Sequence, residues 1–231
     1  MDGRKLTIWA AAAALCLLLP AVPAKAATIL INSGAGLAYS NLDLSGQYNG
    51  IGASGLTVTT GVHPSWQQNN PGGSSAVWIS YADTGYQGNH FQPSLGSQQV
   101  VVITDTFTAA ESNVLNLEVW ADDSAGVYVD GVQVFAPVYT QGSACSGQVI
   151  GCLPGQDGVL SNYHLAAGTH TITFDLYQTG TGTNTTSNPM GLLFMGSDVA
   201  APEPAALLLV GAGLVGIGLL RRSRKAVPVR S

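Results

Sequence analysis

Short runs of β-branched and aromatic residues recur through the middle of the chain, separated by Gly, Pro, Asn and Ser. In residues 169–177 the apolar positions alternate with polar ones, and in residues 114–121 Leu115, Leu117 and Val119 lie on one face with Asn116, Glu118 and Trp120 on the other, which predicts one buried face for each run. The predicted inward-facing side chains are Leu115, Leu117, Val119, Ile172, Phe174 and Leu176. No part of residues 27–200 sustains a 3.6-residue period, so the pattern predicts an all-β fold, an antiparallel, jelly-roll-like β-sandwich.

Further strands are predicted at 28–31, 56–60, 76–80, 100–107 and 191–195. The sharpest local signal is the pair Asp130-Gly131, which lies between the β-branched runs 127–129 and 132–134. An Asp-Gly pair in this setting predicts a two-residue type I′ hairpin, in which both turn residues take positive φ. Asp130 is therefore expected to have a structural role.

The first 26 residues have the features of a secretory signal peptide. Arg4 and Lys5 precede an apolar stretch at residues 6–19, and small residues at Ala24 and Ala26 predict cleavage before Ala27. We expect the Sec translocon and a signal peptidase to act on this segment. An uncleaved anchor is the weaker alternative, because 14 helical residues span only about 21 Å of a roughly 30 Å bilayer core.

A second apolar segment closes the chain. Pro202-Glu203-Pro204 precedes the uncharged residues 205–220, and Arg221, Arg222, Arg224 and Lys225 follow at once. This order predicts a short transmembrane helix with a basic cytoplasmic end.

Residues 201–231 resemble the PEP-CTERM sorting signal of Gram-negative bacteria, in which an exosortase cuts near the Pro-Glu-Pro motif. The resemblance implies a transient inner-membrane anchor, followed by delivery of residues 27–200 to the cell surface or extracellular matrix. A permanent single-pass anchor is the alternative.

The distribution of charge narrows the function further. All eight basic residues lie at the two ends, so residues 27–200 contain eleven carboxylates and no Lys or Arg, a net charge of −11 with the histidines neutral. Such a body lacks the cations that nucleic acids, anionic lipids and phosphoryl transfer require. Within it, a salt bridge can form only through a protonated histidine.

Two cysteines remain after the predicted cleavage, Cys145 and Cys152, with Ser146 to Gly151 between them. In an oxidising compartment, thiols this close in sequence are expected to form a disulfide that closes a small loop. The spacing is not Cys-x-x-Cys, so a redox role is disfavoured.

Asp122 and Asp123 end a predicted strand just before the hairpin, in a chain with no basic partners nearby. Adjacent carboxylates without a counter-charge suit a hard cation such as Ca²⁺. A polar turn with hydrogen bonds from the backbone is the other interpretation, and the sequence favours it.

Enzymatic activity is the third and least favoured reading. The chain has no Gly-x-Ser-x-Gly motif, and the spacings of its four histidines match no zinc signature. A Ser-His-Asp set assembled only by folding, or a glycosidase pair among the carboxylates, stays open on the sequence alone.

Residues 100–195 resemble the protective-antigen-like β-sandwich family, through the Asp122-Asp123 pair, the Val127–Gly131 hairpin and the Ala167-Gly168-Thr169-His170 strand start. In sugar-binding members the adjacent Asp pair coordinates Ca²⁺, which bridges sugar hydroxyls. The resemblance implies the same role for Asp122 and Asp123, with Asn184 or Asn188 as a further oxygen ligand. Among the aromatic residues, Trp66, in a loop of Gln, Asn, Pro and Gly, is the one most expected to be exposed as a sugar platform, and the alternative is a core position, which is more common for a Trp in a sandwich.

Two hypotheses therefore lead. In the first, the protein is a sorted extracellular module whose acidic loop holds Ca²⁺ and binds glycan, with extracellular polysaccharide as its partner. In the second, it is a structural matrix or biofilm protein with no small ligand.

Overall fold

In the computed structural model, the described residues are 28–41, 54–90, 94–109, 112–140, 149–179, 188–200 and 211–215. Residues 27–200 form one compact unit, and the two terminal segments, 1–26 and 201–231, are grouped in another. In the described part of the terminal segments, residues 211–215 are helical. Among the described residues, no helix has the length and apolar character needed to cross a membrane.

Strands make up nearly all of the regular structure of the larger unit, with one short 3₁₀ turn at Pro71–Gly73. The strands are β1 (Thr28–Asn32), β2 (Ala38–Asn41), β3 (Ser54–Leu56), β4 (Val58–Thr59), β5 (Ile79–Ser80), β6 (Gln99–Ala109), β7 (Asn113–Asp122), β8 (Ser124–Val129), β9 (Val132–Phe135), β10 (Gly158–Leu165), β11 (Gly168–Tyr177) and β12 (Gly191–Ala200).

The strands form two antiparallel sheets, which confirms the prediction of an all-β, sandwich-like fold. The first sheet has the order β10-β7-β12-β5-β4, with β1 also paired to β12. The second sheet has the order β3-β2-β6-β11-β8-β9. Consecutive strands β7 and β8 belong to different sheets, so the chain crosses the sandwich between them.

The main core lies between the sheets and contains the side chains that the alternating pattern predicts. Leu115, Leu117 and Val119 are buried on β7, and the predicted inward set of β11 is buried opposite them. Phe174 of β11 stacks on Phe194 of β12 with ring centroids 4.4 Å apart. Burial of apolar area, worth about 25 cal/mol per Å², holds the two layers together.

A second apolar cluster covers part of the outer face of the first sheet. Trp120 and Leu193 are cross-strand partners there, on the face opposite Val119 and Phe194. Trp66 and Trp78, from the segment between β4 and β5, pack over them with ring centroids 4.3 Å apart. Trp120 is therefore buried on the outer face, because this segment folds back over the sheet.

The hairpin forms where the sequence predicts it. Asp130 has φ 50° and Gly131 has φ 77°, and they join β8 to β9. Positive φ at both positions fits the type I′ turn.

Candidate functional site at the sheet crossing

Asp122 and Asp123 lie where the chain passes from one sheet to the other. Asp122 is the last residue of β7 and is the cross-strand partner of Gly191 in the first sheet. Ser124 begins β8 and is the partner of Tyr177 in the second sheet. The Asp122–Asp123 peptide bond is cis. The two carboxyl groups therefore stand at the edge of the sandwich where β7, β8, β11 and β12 meet.

Both side chains are buried, at 6% exposure for Asp122 and 0% for Asp123. The backbone N–H of Thr179 donates a hydrogen bond of 2.8 Å to Asp123 Oδ2. The Trp66 side chain donates to Asp122, and Asp122 is also hydrogen-bonded to the Asp123 carboxylate. The pair is thus held by the segment between β4 and β5, which carries Trp66, and by the residues that follow β11, which include Thr179.

Burial raises the pKa of Asp122 well above its usual range, and the negative charge of Asp123 raises it further. The hydrogen bond from Trp66 opposes both effects without overcoming them. Two carboxylates this close in a low-dielectric setting repel each other, which favours the protonated form of Asp122. A cation bound at the pair would replace that proton.

Two amide side chains with unfilled hydrogen-bonding capacity lie next to the segment that binds Asp123. Gln178 precedes Thr179 and its Nε2 donates a 2.8 Å hydrogen bond to the backbone carbonyl of Asn188. Gln178 Oε1 and Asn188 Nδ2 are both buried and have no hydrogen-bond partner. A half-turn of the Asn188 amide exchanges its nitrogen and oxygen, so each residue has an amide oxygen that is free to accept a further contact.

The resulting donor set consists of oxygen atoms. Within the described residues, no group of three or more His, Cys, Asp or Glu side chains converges on one point. Two carboxylates with two amide oxygens nevertheless match the ligand types that Ca²⁺ takes, and backbone carbonyls, water or a ligand hydroxyl would complete its 6–8 oxygens. A soft or borderline metal, which prefers thiolate or imidazole, does not fit this set.

The structure departs from the sequence-based expectation for Trp66. Its side chain is 2% exposed, so the prediction of an exposed sugar platform is wrong. The ring packs against Trp78 because the segment that carries it folds onto the first sheet. Trp66 instead supports the acidic pair through its hydrogen bond to Asp122.

Of the other predicted site residues, Asn188 is buried and accepts a hydrogen bond from Gln178 through its backbone carbonyl, whereas Asn184 is outside the described residues. Cys152 is buried in the cluster on the outer face of the first sheet. Cys145 is outside the described residues, so its disulfide with Cys152 stays a prediction. Gln178 and Thr179 were not predicted, although the inward series of β11 extends by two positions to Gln178. A polar residue at the next position of an otherwise apolar, inward-facing series is the sequence signal that could have identified Gln178.

His170 and Asp130 form a second polar contact, at the opposite end of β11. His170 Nδ1 is 2.7 Å from Asp130 Oδ2, and Nε2 is 2.8 Å from the carbonyl oxygen of Ala166. Thr171 N–H donates to the other carboxylate oxygen at 2.9 Å. Because Nε2 contacts a carbonyl rather than a hydroxyl, this His-Asp pair lacks the nucleophile of a catalytic triad.

The final segment of the chain matches a family model described as the PEP-CTERM protein-sorting motif, over residues 200–225. The chain carries a PEP-CTERM sorting motif. The match contains Pro202, Glu203, Pro204, Arg221 and Arg222, all of which the sequence analysis assigned to the sorting signal. A PEP-CTERM motif implies export, membrane-anchored sorting and processing by an exosortase. The predicted transmembrane helix at 205–220 lies mostly outside the described residues and stays a prediction.

No curated protein matches this PEP-CTERM chain. Among solved structures, the family 35 carbohydrate-binding module from Clostridium thermocellum is 11% identical, with a TM-score of 0.36 over 73% of this chain and 97% of that one. The module CBM35 from Paenibacillus barcinonensis is 11% identical, with a TM-score of 0.31 over 75% of this chain and 99% of that one. The GH26-CBM35 β-(1,4)-mannanase of Podospora anserina is 10% identical, with a TM-score of 0.34 over 77% of this chain, which spans 28% of the mannanase.

Proposed function

We propose that this is an exported, exosortase-processed protein of the cell surface or extracellular matrix, whose β-sandwich holds Ca²⁺ at Asp122 and Asp123 and binds glycan through that ion. It is a binding protein rather than an enzyme. The observation that carries the proposal is the pair of adjacent, buried carboxyl groups in a body without Lys or Arg. Burying carboxylates without a compensating charge is costly, and a divalent cation supplies that charge.

The surrounding groups support the same reading. Asp122 and Asp123 provide two carboxylates, and the neighbouring amides of Gln178 and Asn188 each have one buried atom, Gln178 Oε1 and Asn188 Nδ2, without a hydrogen-bond partner. A Ca²⁺ ion held by four protein oxygens keeps coordination positions for water or for the hydroxyls of a sugar. Export and sorting through the PEP-CTERM motif would bring the protein to the cell surface or extracellular matrix, where Ca²⁺ and polysaccharide are both present.

The deciding experiment measures the melting temperature of the purified full-length chain in mild detergent, in millimolar Ca²⁺, in Mg²⁺ and in EDTA. A ligand that binds only the native state stabilises it by about 2.7 kcal/mol at 100 times its dissociation constant. For a domain of this size we expect Ca²⁺ to raise the melting temperature by several degrees, and Mg²⁺ to raise it much less.

The matched variants are Asp122→Asn with Asp123→Asn, and Asp105→Asn as a control that removes a carboxylate from another strand. The double variant is expected to lose the Ca²⁺ response, and the control is expected to keep it. A melting temperature in EDTA shows that each variant folds. If Ca²⁺ and EDTA give the same value for the native sequence, the calcium site does not exist.

A structural matrix protein without a small ligand is the second candidate. It is favoured by the hydrogen bonds from Trp66 and Thr179, which use the carboxyl groups to join three segments of the fold. On this reading the double Asn variant melts at a lower temperature than the native sequence with or without Ca²⁺. Turnover of a polysaccharide would be required before an enzyme replaced either candidate.

A further inference from the structure

A groove of about 590 Å³ lies on the outer face of the first sheet, apart from the acidic pair. The tryptophan cluster covers the neighbouring part of the same face, at the level where Trp120 and Leu193 are cross-strand partners. The tryptophan cluster ends two residues beyond Trp120 and Leu193, and the groove begins there, at Glu118 and Met195. Its volume is within the range of small-molecule and oligosaccharide sites.

The floor of the groove follows from the register of four strands, β1, β12, β7 and β10. Two rows of outward-facing residues run across these strands, and neighbouring residues within a row are one strand spacing apart. The first row is Asn32, Met195, Glu118 and Val159, and the second is Leu30, Ser197 and Asn116. Strands about 4.8 Å apart give the first row a length of roughly 14 Å, which suits an extended chain lying across the sheet.

Two irregular segments flank this floor and are held to it. On one side Ser75 Oγ accepts a 3.1 Å hydrogen bond from Asn32 Nδ2, and a Cβ at Gly72 would contact the Met195 methyl group at 3.5 Å. On the other side, at the irregularity in β10, Asn162 N–H donates a 3.0 Å hydrogen bond to Asn116 Oδ1. The groove is therefore formed before any ligand arrives, which lowers the entropic cost of binding.

The lining selects the chemistry of the ligand. Hydroxyl and amide side chains alternate with the exposed apolar groups of Leu30 and Val159, at 72% and 56% exposure. Such a mixture matches the hydroxyl and C–H faces of sugars. Glu118 is the charged residue of the floor, and its carboxylate interacts electrostatically with that of Asp157. Residues 27–200 contain no Lys or Arg to balance this negative charge. Charge complementarity therefore excludes an anionic chain and favours one that carries ammonium groups.

We propose that this groove is a second, calcium-independent binding site, and that its ligand is an extended oligosaccharide bearing amino groups, with one ammonium placed over Glu118. Glu118 precedes Asp122 by four residues along β7, which corresponds to about 13 Å in an extended strand. The two sites therefore use different residues, and the loss of one does not entail the loss of the other.

The test is calorimetric titration of the full-length chain in EDTA with three oligosaccharides of equal length. The probes are a deacetylated chitosan oligomer, its N-acetylated counterpart and an oligogalacturonate. We expect the chitosan oligomer to bind at least tenfold more tightly than the acetylated one, and the oligogalacturonate not to bind. Absence of chitosan binding, or equal binding of the anionic chain, would overturn the proposal.

Variants distinguish this groove from general attraction to an acidic protein. Glu118→Gln is expected to abolish the preference for amino groups, and Ser197→Phe, which fills the centre of the second row, is expected to abolish binding. Asp105→Asn removes the same charge elsewhere and is expected to retain full affinity. An equal loss in Glu118→Gln and Asp105→Asn would mean that only net charge matters. Melting temperatures verify that each variant is folded.

Discussion

At the scale of single residues, the body of the protein has one described ion pair, and it depends on a histidine. His170 faces an acceptor at each ring nitrogen, Asp130 Oδ2 and the Ala166 carbonyl. A neutral imidazole has a single N–H, so only the protonated ring donates to both. Because residues 27–200 contain no Lys or Arg, any salt bridge within them requires a protonated histidine.

Burial lowers the pKa of His170, but the hydrogen bonds to Asp130 and Ala166 and the charges of Asp130 and Asp198 outweigh it, so the net shift is upward. For Asp130, burial raises the pKa and the contacts with His170 and Thr171 lower it by more. The stabilisation by His170 is therefore full below about pH 6.5 and is lost as the pH rises through the folded pKa. The contribution of Asp130 is present above about pH 3.9 and is lost as the pH falls through its folded value.

We expect His170→Gln to lower the melting temperature by several degrees near pH 5.5, and by progressively less as the pH rises above neutrality. Thermal unfolding of both proteins at pH 5–9 measures this difference. His164→Gln removes an exposed histidine six residues away and is expected to give a curve parallel to the native one. A gap between native protein and His170→Gln that does not change with pH would show that the protonated ring is not what stabilises the fold.

At the scale of strands, the sequence predicts best where the period-two pattern continues without interruption. β7 and β11 alternate as predicted, because each is buried on one side by the opposite sheet. The predicted strand 56–60 is instead divided at Thr57, whose hydroxyl donates to Gly34 O and accepts from Leu37 N–H. β10 was not predicted, since its register shifts between Leu160 and Tyr163 and the period-two pattern is lost there.

The hairpin between β8 and β9 offers a test of a single backbone requirement. Gly131 has φ 77°, and a Cβ there would meet no atom within 4 Å, so a substitution affects the backbone alone. Gly131→Val is expected to reduce the free energy of unfolding by about 1–2 kcal/mol, because a β-branched residue resists left-handed φ. Gly131→Asn, which tolerates this region, is expected to cost clearly less. Urea denaturation curves compare the two, and equal losses would mean that the turn does not impose this conformation.

At the scale of the whole molecule, the acidic pair and its neighbours show what a sequence leaves open. Asp122 and Asp123 are recognisable because they are adjacent, whereas Trp66 contacts Asp122 from 56 residues earlier and Thr179 contacts Asp123 from 56 residues later. The groove likewise depends on a four-strand register that places Asn32 and Val159 in one row. Alternation predicts which face a residue occupies, but it does not predict which strands become neighbours.

The tail leads to a prediction about the whole chain in its cell. The PEP-CTERM match at residues 200–225 combines the Pro-Glu-Pro sequence with the basic cluster at 221–225. Replacing Glu203 by Ala and deleting residues 221–225 should leave the protein in the inner membrane of a strain that expresses the exosortase. The native chain should instead reach the surface or medium, shortened near residue 204.

Fractionation with immunoblotting measures both species, and a strain without exosortase is the control in which the native chain should also stay in the membrane. Because the sandwich is unchanged in the altered chain, its response to Ca²⁺ should be the same in either location. Unchanged release of the altered chain would mean that this tail does not direct sorting.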